Sequence, residues 1–299
     1  MKSFAGVYTP VVTPFTPDNA LDERGLKKNV ERYIRSPLTG LVILGSNGEA
    51  PQLEDSEADR AIEIARSSMP ADRPLLAGTG RESTVATIAA TKRAAKLGAD
   101  AVLVRTPSFY KGQMTTDAFV HHFTAVADQS PVPVLLYNVT MYTGVNLLPD
   151  AVAKLSEHKN IVGMKETNSD MVQMAEHLAR TKSGFLVLAG SAATYYASLT
   201  LGVHGAILAV AGVAPDLVVE IFELAKAGKF TDARTLARRL APISKSVGSQ
   251  WGVPGLKAAL DLIGLAGGVP RPPLQPVNAA TVDVLRGQLK DLELLPVAV

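Results

Sequence analysis

Short apolar runs alternate with longer amphipathic segments through most of this chain, and that alternation restricts the fold more than any other feature. The runs fall at residues 7–12, 40–44, 75–77, 101–104, 134–137, 161–165, 186–189 and 206–209. Helix-period patterns follow them at 23–34, 55–68, 83–97, 116–127, 149–155, 170–180, 192–200 and 216–227. Strands alternating with helices of this length imply βαβ units and a parallel sheet. Parallel strands covered on both faces are apolar throughout rather than at every second residue, and these runs have that character. Leu97-Gly98 and Leu201-Gly202 each close a helix with glycine just before a strand, the residue that most readily adopts the left-handed stop. Eight such units in the α/β class favour a closed (β/α)8 TIM barrel over an open sheet.

The barrel is expected to occupy residues 1–228, with a C-terminal helical region at 229–299. Helices are expected there at 230–240, 253–263 and 280–292, the last two separated by the Pro/Gly-rich loop Gly267-Gly268-Val269-Pro270-Arg271-Pro272-Pro273. This extension is expected to pack on the barrel's side and to shape oligomer contacts without supplying chemistry. A chain of 299 residues suits one barrel with an extension, and 47% hydrophobic against 19% charged residues is ordinary for a globular protein with a sizeable core. A net charge of +2 gives no reason to expect nucleic acid or a membrane surface as partner. The absence of cysteine excludes disulfides, thiolate nucleophiles and Cys-based metal sites. No signal peptide and no apolar run of transmembrane length is visible, so a soluble, cytoplasmic protein is expected.

In such a barrel the catalytic groups lie at the carboxyl ends of the strands. The sixth run, Ile161-Val162-Gly163-Met164-Lys165-Glu166, ends in a lysine. Removal from water disfavours an ammonium, and the free amine is a nucleophile toward ketones, which makes Lys165 a candidate Schiff-base residue. From this segment alone a strand-end lysine turned to solvent is the more common case. The second run ends in Gly45-Ser46-Asn47-Gly48-Glu49, either a cradle of backbone and side-chain donors for a carboxylate or a plain Gly/Asn turn. Tyr137 ends the fifth run, where its hydroxyl is either a proton shuttle or part of a rim aromatic. The small residues Ala189-Gly190-Ser191 and Ala209-Val210 leave room above Lys165. His121, His122, His158, His177 and His204 show no metal-ligand spacing and are read as structural or surface residues. Gly78-Thr79-Gly80 lacks the remainder of any nucleotide-binding pattern.

The pattern resembles the pyruvate-dependent class I aldolases, the family of dihydrodipicolinate synthase and N-acetylneuraminate lyase. Val11-Val12-Thr13-Pro14-Phe15, the Gly45–Glu49 loop, Thr106-Pro107, Tyr137-Asn138-Val139, Gly163-Met164-Lys165-Glu166 and Gly190-Ser191 carry the resemblance, in order and over almost the whole chain. It implies a homotetrameric barrel in which Lys165 forms an imine with pyruvate and Tyr137 relays protons. It also implies that Ser46 joins the relay and that Ser46 and Asn47 help to hold carboxylate, while Gly190 and Ile207 shape the imine site. Neither a cofactor nor a metal is implied, because the iminium polarises the substrate.

Departures from the synthase pattern narrow the substrate. Tyr142 stands where the synthases carry the arginine that holds the aldehyde substrate's carboxylate. Phe109 stands where their interface-crossing tyrosine stands, beside Tyr110. The loops look closer to 4-hydroxy-2-oxoglutarate aldolase, in which Asn47 and Thr167 would contact the distal carboxylate. The leading expectation is therefore cleavage of 4-hydroxy-2-oxoglutarate to pyruvate and glyoxylate. The alternatives are 4-hydroxy-tetrahydrodipicolinate synthesis from pyruvate and aspartate semialdehyde, a keto-deoxy sugar acid aldolase or dehydratase, and a non-catalytic keto-acid-binding protein. In each case the partner is pyruvate together with a small aldehyde or 2-oxo acid.

Overall fold

The computed structural model describes residues 3–295. Eight parallel strands close on themselves in chain order, β1 pairing with both β2 and β8. They are β1 Gly6–Pro10, β2 Gly40–Ile43, β3 Leu75–Gly78, β4 Ala101–Arg105, β5 Val134–Asn138, β6 Ile161–Glu166, β7 Leu186–Ala189 and β8 Gly205–Ile207. The expected strand positions hold to within a few residues. Two strands stop two residues early: β1 ends at Pro10, and β8 ends at Ile207, where Ala209, expected as strand, begins a 3-10 helix at Ala209–Gly212.

Alternation along each strand divides the core in two. Tyr8, Val42, Leu76, Leu103, Leu135, Leu188 and Ile207 fill the barrel's interior, while Val7, Leu41, Ile43, Val102, Leu136 and Val187 pack outward against the helices. The helices after β1 to β4, Glu23–Tyr33, Asp55–Ser67, Thr84–Lys96 and Thr116–Gln129, supply much of that outer layer. Asp22, Ser83, Thr115 and the Glu54/Glu57 capping box satisfy their first-turn N–H groups. A short helix at Thr140–Thr143, which hydrophobic periodicity does not reveal, follows β5 and carries Tyr142.

The C-terminal extension differs more from expectation. The first helix runs from Phe230 to Lys245, straight through Pro242, and continues as a π-helical turn at Ser246–Gln250. A proline removes one backbone donor and argues for a stop, but Leu240 and Ile243 on either side of it are buried, and that packing carries the helix onward. Helices Gly252–Leu262 and Ala279–Asp291 follow, and residues 296–299 of the expected extension lie outside the described residues. The extension also does more than cover the barrel's side: it lines the cavity over the mouth and pins a loop beside it.

His121 and His122 diverge as adjacent helical residues must, the first exposed and the second buried with Nδ1 2.9 Å from Thr84 Oγ1. Burial pulls His122 down from 6.5 to about 4, with nearby Glu82 opposing the shift. Between those values the unfolded chain takes up a proton that the folded one refuses. The stabilisation is therefore complete above pH 6.5 and is lost as pH falls toward 4, by up to roughly 3 kcal/mol. Urea midpoints between pH 7 and 4.5 should fall less steeply in His122→Gln than in the parent.

Candidate active site

β5 and β6 pair so that Tyr137 lies opposite Lys165 and Asn138 opposite Glu166. Because alternate residues face opposite sides, Tyr137 and Lys165 reach the barrel's mouth while the following residues turn outward. Lys165 is 4% exposed, with Nζ 3.3 Å from the Tyr137 hydroxyl and 4.3 Å from its ring centroid. That hydroxyl is in turn 3.3 Å from Ser46 Oγ. An amine, a phenol and an alcohol thus form one continuous chain of exchangeable protons.

Behind them lies a buried clasp that the motif reading missed. Asn138 Nδ2 donates to both Glu166 carboxylate oxygens, at 3.1 and 2.9 Å, and to Asn146 Oδ1 at 2.8 Å. Glu166 also accepts from Asn168 N at 2.7 Å and Gln173 Nε2 at 3.1 Å, and His177 Nε2 lies 3.0 Å from it. The clasp ties the ends of β5 and β6 together directly behind Tyr137 and Lys165. His177 is structural, as read from the sequence. A signal for the clasp was available: a carboxylate and an amide, each one residue past a mouth-facing position, must be buried between sheet and helices and so must find partners.

The loop after β2 is strained and held. Leu44 and Glu49, at φ +58° and +54°, occupy the left-handed region, which is sparsely populated for side-chain-bearing residues and costs about 1–3 kcal/mol each. A Cβ at Gly78 would stand 1.9 Å from the Leu44 carbonyl oxygen, so Gly78 serves close strand packing at the kink. Thr13 Oγ1 donates to the Gly48 carbonyl at 2.7 Å. Glu49 is buried against Lys257 Nζ at 2.5 Å, and its other oxygen accepts from Arg271 N at 2.8 Å. Both cations lie over the Phe15 ring, at 4.5 and 4.0 Å from its centroid. Thr13 and Phe15, conspicuous in the sequence without an assigned task, therefore help hold the Ser46–Asn47 loop.

A cavity of about 780 Å³ opens above Lys165. Asn47, Tyr137, Tyr142, Thr167, Gly190 and Ile207 line it with Lys165, so the structure gathers seven of the nine expected site residues there. Ser46 joins through Tyr137. Phe109 does not: it is 76% exposed, edge-on to Tyr110, with its N–H donated to Glu82 at 2.8 Å. Within one chain Phe109 is thus outside the cavity. A Cβ at Gly190 would stand 2.3 Å from Thr167 Oγ1 and 3.0 Å from Lys165 Cε, so glycine admits the lysine side chain. Thr167 Oγ1 is buried without a protein partner. Tyr142 is half-exposed and cannot supply the bidentate cation of an arginine. The described residues contain no cluster of three metal-ligating side chains, and no helix among them is long and apolar enough to cross a membrane.

A parallel eight-stranded barrel with a buried strand-six lysine beneath an open cavity is the architecture of a class I, Schiff-base aldolase or lyase. The Dihydrodipicolinate synthetase family matches residues 3–292, and this chain belongs to it. A 4-hydroxy-tetrahydrodipicolinate synthase from Methanopyrus kandleri is 35% identical over 97% of each chain, and one from Methanothrix thermoacetophila is 37% identical over 96% of each. The crystal structure of dihydrodipicolinate synthase from Thermotoga maritima superposes with a TM-score of 0.93 at 32% identity, covering 98% of this chain and 99% of that one. The Acinetobacter baumannii enzyme complexed with pyruvate gives 0.93 at 31% identity, covering 98% and 100%.

Proposed function

We propose that the chain joins and splits carbon–carbon bonds through a pyruvate imine on Lys165. The amine adds to the keto carbon of pyruvate, water leaves, and loss of a C3 proton from the iminium gives an enamine. The enamine carbon attacks an aldehyde, and water then releases the product from Lys165. Run in reverse, the same steps cleave a 4-hydroxy-2-oxo acid, with the iminium accepting the electron pair of the breaking bond. Tyr137 moves the protons and Ser46 extends the relay. The observation that carries this reading is the contact chain from the buried Lys165 Nζ through Tyr137 to Ser46. Pyruvate as first substrate is supported by the A. baumannii complex.

For the second substrate, the relatives' name favours aspartate semialdehyde and the synthase reaction over cleavage of 4-hydroxy-2-oxoglutarate. Cleavage stays as the second reading because Asn47 and Thr167 line the cavity and Tyr142 stands in place of the synthase arginine. A homotetramer in which partner chains complete the site around Phe109 accords with the family. Borohydride reduction in the presence of pyruvate should leave a pyruvyl group on Lys165, located by digestion and mass spectrometry. Rates with pyruvate plus aspartate semialdehyde, and with 4-hydroxy-2-oxoglutarate, then separate the readings. Labelling without turnover of either would leave a sugar-acid enzyme or a keto-acid-binding protein.

A further inference from the structure

The cavity above Lys165 has a one-signed wall. Its charged lining residues are Lys165, Arg234, Arg238 and Lys245, with no aspartate or glutamate among them. The chain as a whole is nearly balanced, 30 basic against 28 acidic residues, so the asymmetry is local. Arg234, Arg238 and Lys245 all come from the helix Phe230–Lys245. Positions 234, 238, 241 and 245 follow the spacing of a single helix face. The residues between them on the lining are Ala237, Leu240, Ala241 and Ser244, three of them small and none of them charged.

Several arginines around the barrel are neutralised in place. Arg60, Arg81, Arg93, Arg105, Arg180 and Arg271 each meet a carboxylate. Among the described residues Arg234, Arg238 and Lys245 meet none and are exposed toward solvent. Like charges in a concave site raise the local potential and the concentration of anions there. Pyruvate's own carboxylate has the donors near Lys165, whereas the helix Phe230–Lys245 forms a separate, outer wall.

We propose that Arg234, Arg238 and Lys245 form an outer anion subsite for the half of the substrate remote from the imine. The second substrate, or the 4-hydroxy-2-oxo acid that yields it, then carries a carboxylate or phosphate at its far end. This rests on the Lys165 reading and names the substrate class for the same cavity.

The test uses the full chain and the double variant Arg234→Ala/Arg238→Ala, whose positions are exposed and tolerate alanine in a helix. Condensation with pyruvate is measured for succinic semialdehyde (carboxylate), glyceraldehyde 3-phosphate (phosphate) and glyceraldehyde (neutral). In the parent, kcat/KM should favour an anionic aldehyde over the neutral one, and the variant should lose about tenfold or more of that preference through KM. The arm that loses more identifies the anionic group. Raising salt should erode the preference in the parent more than in the variant. Equal selectivity in both proteins, or no anionic preference in the parent, overturns the subsite. Titration calorimetry with glutarate and inorganic phosphate reads the subsite without turnover, and binding should weaken in the variant. Failure of pyruvate to label Lys165 would sink the Schiff-base reading separately, whatever the calorimetry shows.

Discussion

Lys165→Ala should lower turnover by on the order of 10⁴-fold or more, the scale on which loss of a covalent nucleophile is felt. Both covalent steps run through this amine, and nothing beside it offers a substitute: its immediate polar neighbour is the Tyr137 phenol, backed by the Ser46 hydroxyl. The protein should keep its stability, because the removed side chain ends at a cavity rather than in packed core. A pyruvate and borohydride experiment on the variant should give no pyruvyl adduct. Residual turnover above about a hundredth of the parent's, or an adduct on another lysine, would remove Lys165 from the mechanism.

The second large effect concerns the loop that carries Ser46 and Asn47. Lys257→Met leaves Glu49, fully buried, without its cation, and breaking a buried pair from one side costs about 3–5 kcal/mol. Burial itself pushes the Lys257 ammonium below its ordinary value, and Glu49 opposes that shift. The expected result is a lower urea midpoint, accompanied by a fall in kcat because the strained Leu44–Glu49 turn relaxes. Adding Glu49→Gln to Lys257→Met should recover much of the stability, since a neutral amide is less costly to bury than an unpaired carboxylate. If the double variant is no more stable than Lys257→Met, the loss comes from packing around Phe15 or from the Val269 carbonyl that Lys257 Nζ serves at 2.7 Å, and not from the orphaned charge. A kcat equal to the parent's would mean that the pair does not position the loop.

The two effects differ in how far they could be read from residues alone. Lys165 was legible because it closes a continuous apolar run, and period-2 geometry then places it at a strand's carboxyl end. Tyr137 was legible for the same reason. Glu49 and Lys257 lie more than 200 residues apart and share no periodicity, so their pairing belongs to the folded chain. The helix through Pro242 was misread because local propensity stops at a proline, while burial of Leu240 and Ile243 does not. Phe109 was placed by alignment with a motif, yet its ring is outside the cavity of a single chain.

Local pattern is thus enough for what depends on one element and its period: eight buried strands, their helices, and the side chains that end each strand. It also supplies the motif order that marks the family. Everything that depends on which elements meet required the tertiary structure, including the Asn138–Glu166 clasp, the Glu49–Lys257 pair and the cationic wall over Lys165. The physical reason is range. Periodicity and propensity act over a few residues, whereas a buried charge or a shared cavity joins groups that only the closed barrel and its extension bring together.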